Sequence, residues 1–140
     1  MHVLVDTCIW SLAFRKKNKN PQEERVVQEL KDLIFDYRAN LIGPIRQELL
    51  SGISNENSFY KLKNQMQSFD NVLLTTLTYE NAAHYSNICR RNGVQGSNVD
   101  FLICSAAIEH NMTIFSTDKD FLNYQKFINI KLHKIDSLGG

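Results

Sequence analysis

Hydrophobic residues along the chain fall into short unbroken runs separated by longer stretches with helical spacing. Val3-Leu4-Val5 is such a run, and its length and β-branched content predict a buried parallel strand. The loop Arg15-Lys16-Lys17-Asn18-Lys19 is polar and cationic. After it, Asn20 reads as an N-cap, with Pro21 at the first helical position and Glu23 closing a capping box. Val26, Val27, Leu30, Leu33, Ile34 and Tyr37 recur at the spacing of one helical face. Leu41-Ile42 predicts a second strand, broken by Gly43-Pro44, which open a helix through Leu50 that Gly52 stops. Phe59, Leu62, Met66 and Phe69 mark another helix, and Val72-Leu73-Leu74 a third strand. Thr78 is the expected cap of a helix ended by Gly93, and Ser97 with Asp100 resembles a capping box for a helix from Phe101 to about His110. Ile114-Phe115 predicts a fourth strand, and the alternating Ile130–Ile135 segment an edge strand.

Strands alternating with helices imply an α/β sandwich with a mostly parallel sheet of five short strands covered on both faces. At 140 residues the chain is read as one domain, 1–140. Lys and Arg total 16 against 15 Asp and Glu, so net charge alone does not hold the protein to nucleic acid, and only local basic patches could. Three cysteines, an odd number, argue against a disulfide framework. The apolar surroundings of Cys8 and Cys104 suggest buried, reduced thiols and a cytoplasmic setting. The N-terminus lacks the pattern of a signal peptide, and no apolar run is long enough to span a membrane.

In open parallel sheets ligands bind beyond the carboxyl ends of the strands. Asp6 directly follows the first strand, and Asp118 lies just past Ile114-Phe115. Glu48 sits in the helix after the second strand, and Asp100 opens the helix that precedes the fourth. Each has a bland reading as a turn, cap or surface residue, but all four can reach one rim. Gathered carboxylates repel unless a cation neutralises them, and their oxygens suit Mg²⁺ or Mn²⁺. His2, His84, His110 and His133 are not placed to complete the set. An all-carboxylate site of this kind fits phosphodiester hydrolysis.

The segments Val3-Leu4-Val5-Asp6-Thr7, Pro44-Ile45-Arg46-Gln47-Glu48-Leu49, Val99 to Ala107 and Ser116-Thr117-Asp118-Lys119-Asp120-Phe121 resemble, in order and spacing, the PIN-domain ribonucleases. The subfamily most similar is the VapC-type toxin of toxin–antitoxin pairs. The resemblance implies a three-layer α/β/α sandwich with strand order 3-2-1-4-5 and a Mg²⁺- or Mn²⁺-dependent endoribonuclease. It places Asp6, Glu48, Asp100 and Asp118 at the catalytic positions, with Asp6, Asp100 and Asp118 on the metal. Thr7 and Ser116 line the site, Ser116 standing where Thr is commoner, and Asp120 is an additional acid. It further implies an RNA substrate, a homodimer and an antitoxin that covers the site. Arg15, Lys16, Lys17, Lys19 and Arg46 are the candidates for contacting RNA phosphates.

Competing readings lack their own signatures. A haloacid-dehalogenase-like phosphatase needs a second Asp where Cys8 stands. A dinucleotide-binding domain needs G-x-G-x-x-G after the first strand, and no P-loop is present. A receiver domain would put an Asp after the third strand, where Thr75-Thr76 stand. The alternatives of a different kind are a PIN-fold RNA-processing nuclease and a non-catalytic module that binds RNA or a partner.

Overall fold

The structure is a computed structural model that describes residues 1–135. In chain order it contains β1 (Val3–Val5), α1 (Thr7–Phe14), α2 (Pro21–Phe35), β2 (Ala39–Asn40), α3 (Gly43–Leu50) and α4 (Glu56–Gln65). A 3-10 turn at Met66–Ser68 follows, then α5 (Thr76–Arg91), α6 (Asn98–Glu109), β3 (Thr113–Phe115) and α7 (Asp120–Tyr124). The sheet is parallel, in the order β2-β1-β3. Consecutive strand residues point to opposite faces, and Val3, Leu4 and Val5 are all fully buried. Both faces of the central strand are therefore covered, as an α/β sandwich requires. α6 packs on β1 and β3, α5 packs on α6, and α1 lies against α2 and α3.

Five strands were expected and, among the described residues, three form. The outer two survive as single parallel bridges, Leu41 to Asn71 and Ile114 to Leu132. With these bridges the lateral order is the expected 3-2-1-4-5. Val72-Leu73-Leu74 builds no ladder, and Leu73 is 71% exposed, so that apolar run is not a core strand. The Ile130–Ile135 segment bonds β3 through Ile114 N–H to the Lys131 carbonyl and His133 N–H to the Ile114 carbonyl, each at 2.8 Å. The second strand is Ala39–Asn40, two residues earlier than the apolar pair Leu41-Ile42.

Helix ends explain how so short a sheet is held in register. The Asn20–Glu23 capping box forms as expected, with both reciprocal bonds made. The cap of α5 is Thr75 rather than Thr78. Thr78 sits three positions on, accepting from Thr75 N–H, and its hydroxyl donates to Glu109 at 2.8 Å, tying α5 to α6. α2 and α6 end in left-handed residues that are not glycine, Tyr37 (φ 58°) and Asn111 (φ 54°). At each end the amide one residue later reaches back to the helix, Arg38 N–H to the Leu33 carbonyl and Met112 N–H to the Ala107 carbonyl, both 2.8 Å. These Schellman closures turn the chain at once into β2 and β3.

Candidate active site

Asp6 leaves β1 as the N-cap of α1, where its Oδ1 accepts from Thr7 N–H at 2.8 Å. Its other oxygen, Oδ2, accepts from the Ser116 hydroxyl at 2.8 Å, across the junction between β1 and β3. The Cys8 thiol lies 3.5 Å from the same oxygen and 3.5 Å from Ser116 Oγ. Cys8 was expected to be a buried thiol. It is only half-buried, because it belongs to this rim rather than to the core, whereas Cys89 and Cys104 are buried and free.

Thr7 extends the network sideways. Its hydroxyl donates to Glu48 Oε1 at 2.7 Å, so the glutamate of α3 is held next to Asp6 although it is itself exposed. On the other flank Ser116 Oγ accepts from Asp118 N–H at 3.0 Å, and Asp118 Oδ1 accepts from Asp120 N–H at 2.9 Å. This chain of bonds folds the segment after β3 over the sheet edge, and α7 starts there.

Asp100 arrives from α6. Ser97 caps that helix by accepting from Asp100 N–H at 3.1 Å, but the reciprocal half of the expected capping box is not formed. The Asp100 carboxylate instead accepts from the Tyr124 hydroxyl at 2.6 Å and faces the other acids. Carboxylate oxygens of Asp100, Asp118 and Asp120 lie within 4.8 Å of one another. Asp120, read from sequence as an accessory acid, is thus in the tightest cluster among the described residues, with Asp6 alongside through Ser116.

The electrostatics follow from this crowding. Burial raises the Asp6 carboxyl above its ordinary value, and the charge of Glu48 adds to it, while bonds from Ser116, Thr7 and Cys8 partly offset the rise. Asp100 is raised for the same first reason, burial, and then by the charges of Asp6 and Asp118, against the opposing bond from Tyr124. Tyr124 is pushed far above the usual phenol range by burial and by Asp100, so it stays a proton donor. Among the described residues the ion pairs join Lys16 to Glu23, His110 to Glu109 and His133 to Glu29, and none reaches these acids. A set of hard oxygen donors, close together and without a basic side chain to balance them, fits a small divalent cation.

The basic candidates divide. Arg46 is spent inside the fold: Nε donates to Asn71 Oδ1 at 3.0 Å, Nη1 to the Met66 carbonyl at 2.9 Å, and Nη2 to the Phe69 carbonyl. That clamp on the 66–71 segment takes a donor from each of its three nitrogens. Lys16 pairs with Glu23 at 2.6 Å, and Lys19 lies near the same glutamate. Arg15 leans on the carbonyls of Leu49 and Ser51, at 3.4 and 3.5 Å. With Lys17 and Lys61 it lines a polar groove of about 520 Å³ between the end of α1 and α4. Lys61 was not anticipated, because the groove arises only when α1 and α4 are set side by side. Tyr124 was also missed. The available signal was its hydroxyl, since a buried tyrosine needs a partner, and Tyr124 follows an acid-rich turn in a segment to which the sequence reading assigned no element.

The PIN domain family model matches residues 3–126. This chain belongs to the PIN domain family. PIN domains are in general nucleases, and the acids described here lie within the matched span. No curated protein matches this PIN domain by sequence. Among solved structures it is similar to VapBC2 from Rickettsia felis bound to a DNA fragment from their promoter, with 18% identity, a TM-score of 0.74, and coverage of 97% of this chain and 100% of that one. It is also similar to FitAcB from Neisseria gonorrhoeae (19% identity, TM-score 0.72, 97% and 99% covered). A third is DNA-bound VapBC from Salmonella typhimurium (12% identity, TM-score 0.70, 95% and 97% covered). At these identities the likeness is one of fold. Among the described residues no helix is long and apolar enough to cross a membrane.

Proposed function

We propose that this PIN domain is a divalent-metal-dependent endoribonuclease and the toxin of a toxin–antitoxin pair. The observation that carries the reading is the convergence of Asp100, Asp118 and Asp120, with Asp6 beside them, into a carboxylate cluster that no ion pair among the described residues reaches. Asp6, Asp100 and Asp118, with Asp120, would hold Mg²⁺ or Mn²⁺. When bound there, such an ion supplies Lewis acidity to the phosphodiester and makes water a stronger nucleophile at neutral pH. Thr7 N–H and the Ser116 hydroxyl fix both oxygens of Asp6, so that this carboxylate meets the site already oriented. Glu48, held by the Thr7 hydroxyl and exposed, is free to accept a proton at the rim. Arg15, Lys17 and Lys61, one helix length from the acids along α1, would draw the phosphates of RNA across the site.

The toxin assignment rests on the motif resemblance and on the structural neighbours, whose names are VapBC2, VapBC and FitAcB. An antitoxin partner is in line with those names; that it covers the acidic rim, and that the active form is a homodimer in the cytoplasm, are part of the same proposal. The test is cleavage of labelled RNA by Asp6→Asn protein at saturating Mn²⁺. We expect cleavage to be abolished while the circular dichroism spectrum is unchanged. Near-normal cleavage would overturn the assignment.

A further inference from the structure

We infer that Tyr124 is a positioning residue of this site, which sets Asp100 for metal through its hydroxyl, and that Gly96 is glycine to let it do so. The inference rests on the metal-site reading above. Tyr124 is fully buried, with its ring against Phe101 (centroids 4.9 Å apart) and Phe121 (5.3 Å). These packing contacts hold the ring in place. Its hydroxyl therefore has little freedom, and it meets Asp100 Oδ2 at 2.6 Å. Asp100 stands in the first turn of α6, where an acid ordinarily folds back on the capping residue's amide. Here Ser97 receives the Asp100 amide and the carboxylate goes to Tyr124. With one oxygen bound by the phenol, the carboxylate plane is set and the group faces Asp118 and Asp120.

Gly96 supplies the second, independent observation. A Cβ built there would stand 2.1 Å from the Tyr124 hydroxyl oxygen and 2.7 and 2.9 Å from two carbons of its ring. Its backbone is not in the left-handed region, so conformation does not demand glycine. Space for the phenol does. The loop before α6 and the turn at the end of α7 thus leave room at position 96 for the Tyr124 ring and, most tightly, for the hydroxyl that reaches Asp100. Phenylalanine would fill the core equally well and would leave Asp100 free to swing toward its own helix cap.

The experiment measures Mn²⁺ affinity by calorimetry, and the rise in melting temperature with Mn²⁺, for wild type, Tyr124→Phe and Gly96→Ala. RNA cleavage is followed against metal concentration. Orienting partners of metal ligands typically change metal affinity by roughly 10–100-fold. We expect Tyr124→Phe to bind Mn²⁺ at least about ten-fold more weakly with its secondary structure intact, and its cleavage to recover as Mn²⁺ is raised. Gly96→Ala, which keeps every core side chain but pushes the Tyr124 ring and hydroxyl off their position, should move the same way. It also serves if Tyr124→Phe fails to fold. Unchanged Mn²⁺ affinity in folded variants, with wild type binding normally, would overturn the positioning role alone. A cleavage defect that excess metal does not rescue would overturn it too, since it would mark a loss of packing. Wild-type protein that binds no Mn²⁺ would overturn the metal-site reading and this inference together.

Discussion

Asp6 and Asp100 carry carboxyls raised above the ordinary value of 3.8, in both cases first by burial and then by neighbouring acids. A carboxyl whose folded pKa exceeds its unfolded one binds protons more tightly when folded. Its contribution to stability is full at low pH and is lost as pH rises through the raised value. Asn at position 100 cannot titrate. In EDTA, the melting temperature of wild type relative to Asp100→Asn should therefore decline as pH rises from about 4 to about 7.5, and Mn²⁺ should reverse the trend at neutral pH. Thermal melts across that range check it, and a pH-independent difference would show that Asp100 is not crowded. The acids themselves were legible because each stands next to an apolar run, where a carboxylate is expensive without purpose. What each bonds was not. Whether Asp100 closes a capping box or turns to Tyr124 depends on where α7 lands, and the spacing of one helix holds no information about that.

At the scale of elements, the sequence betrayed helices by their caps and periodicity, while short strands blurred. A two-residue strand such as Ala39–Asn40 has no periodicity to read, and of the apolar pair beside it Leu41 makes only a single bridge, to Asn71, while Ile42 is already the N-cap of α3. Val72-Leu73-Leu74 misled for the converse reason: an apolar run is not a strand unless a neighbour offers a ladder. Arg46 is the clearest case of a charge whose use only the fold reveals. Sitting two residues before Glu48, it was read as a candidate phosphate contact, yet it closes the 66–71 segment onto α3. Arg46→Ala should strip partners from two carbonyls and Asn71, and cost about 1–3 kcal/mol. The midpoint of chemical denaturation should fall accordingly, while the salt dependence of RNA binding stays as in wild type.

On the scale of the whole molecule, charge is segregated although the total is balanced. Acids gather at one end of α1, and Arg15, Lys17 and Lys61 line the groove at the other. Replacing these three cations with glutamine should weaken RNA binding and make the slope of log K against log salt shallower, since fewer counterions are released. Filter binding at several salt concentrations measures both, and an unchanged slope would mark the groove as mere solvated surface. The toxin reading has its own readout in cells. Expression should arrest growth, Asp100→Ala should abolish the arrest, and the protein encoded upstream should restore growth when co-expressed. A wild-type chain tolerated at high level, yet cutting RNA broadly when pure, would mark an RNA-processing enzyme instead.

The central strand β1 lies at the start of the chain, and its partner β3 is made only after more than a hundred residues have been added. Asp6 and Ser116, which share a hydrogen bond, are separated by 110 positions. Pairing so remote in sequence comes late in folding, because the intervening loop must be closed first. During synthesis the growing chain can join β1 to β2 and pack α2, but it has neither Asp118 nor Asp120, and Asp100 has no Tyr124 to hold it. The acidic cluster is then incomplete until α7 has been made and β3 has paired with β1. A chain cut short before α7 would lack Asp120 and Tyr124, and one cut short before β3 would also lack Ser116 and Asp118. The order of strands in space is in this sense also a schedule, in which the site closes only after the most remote pairing of the sheet is made.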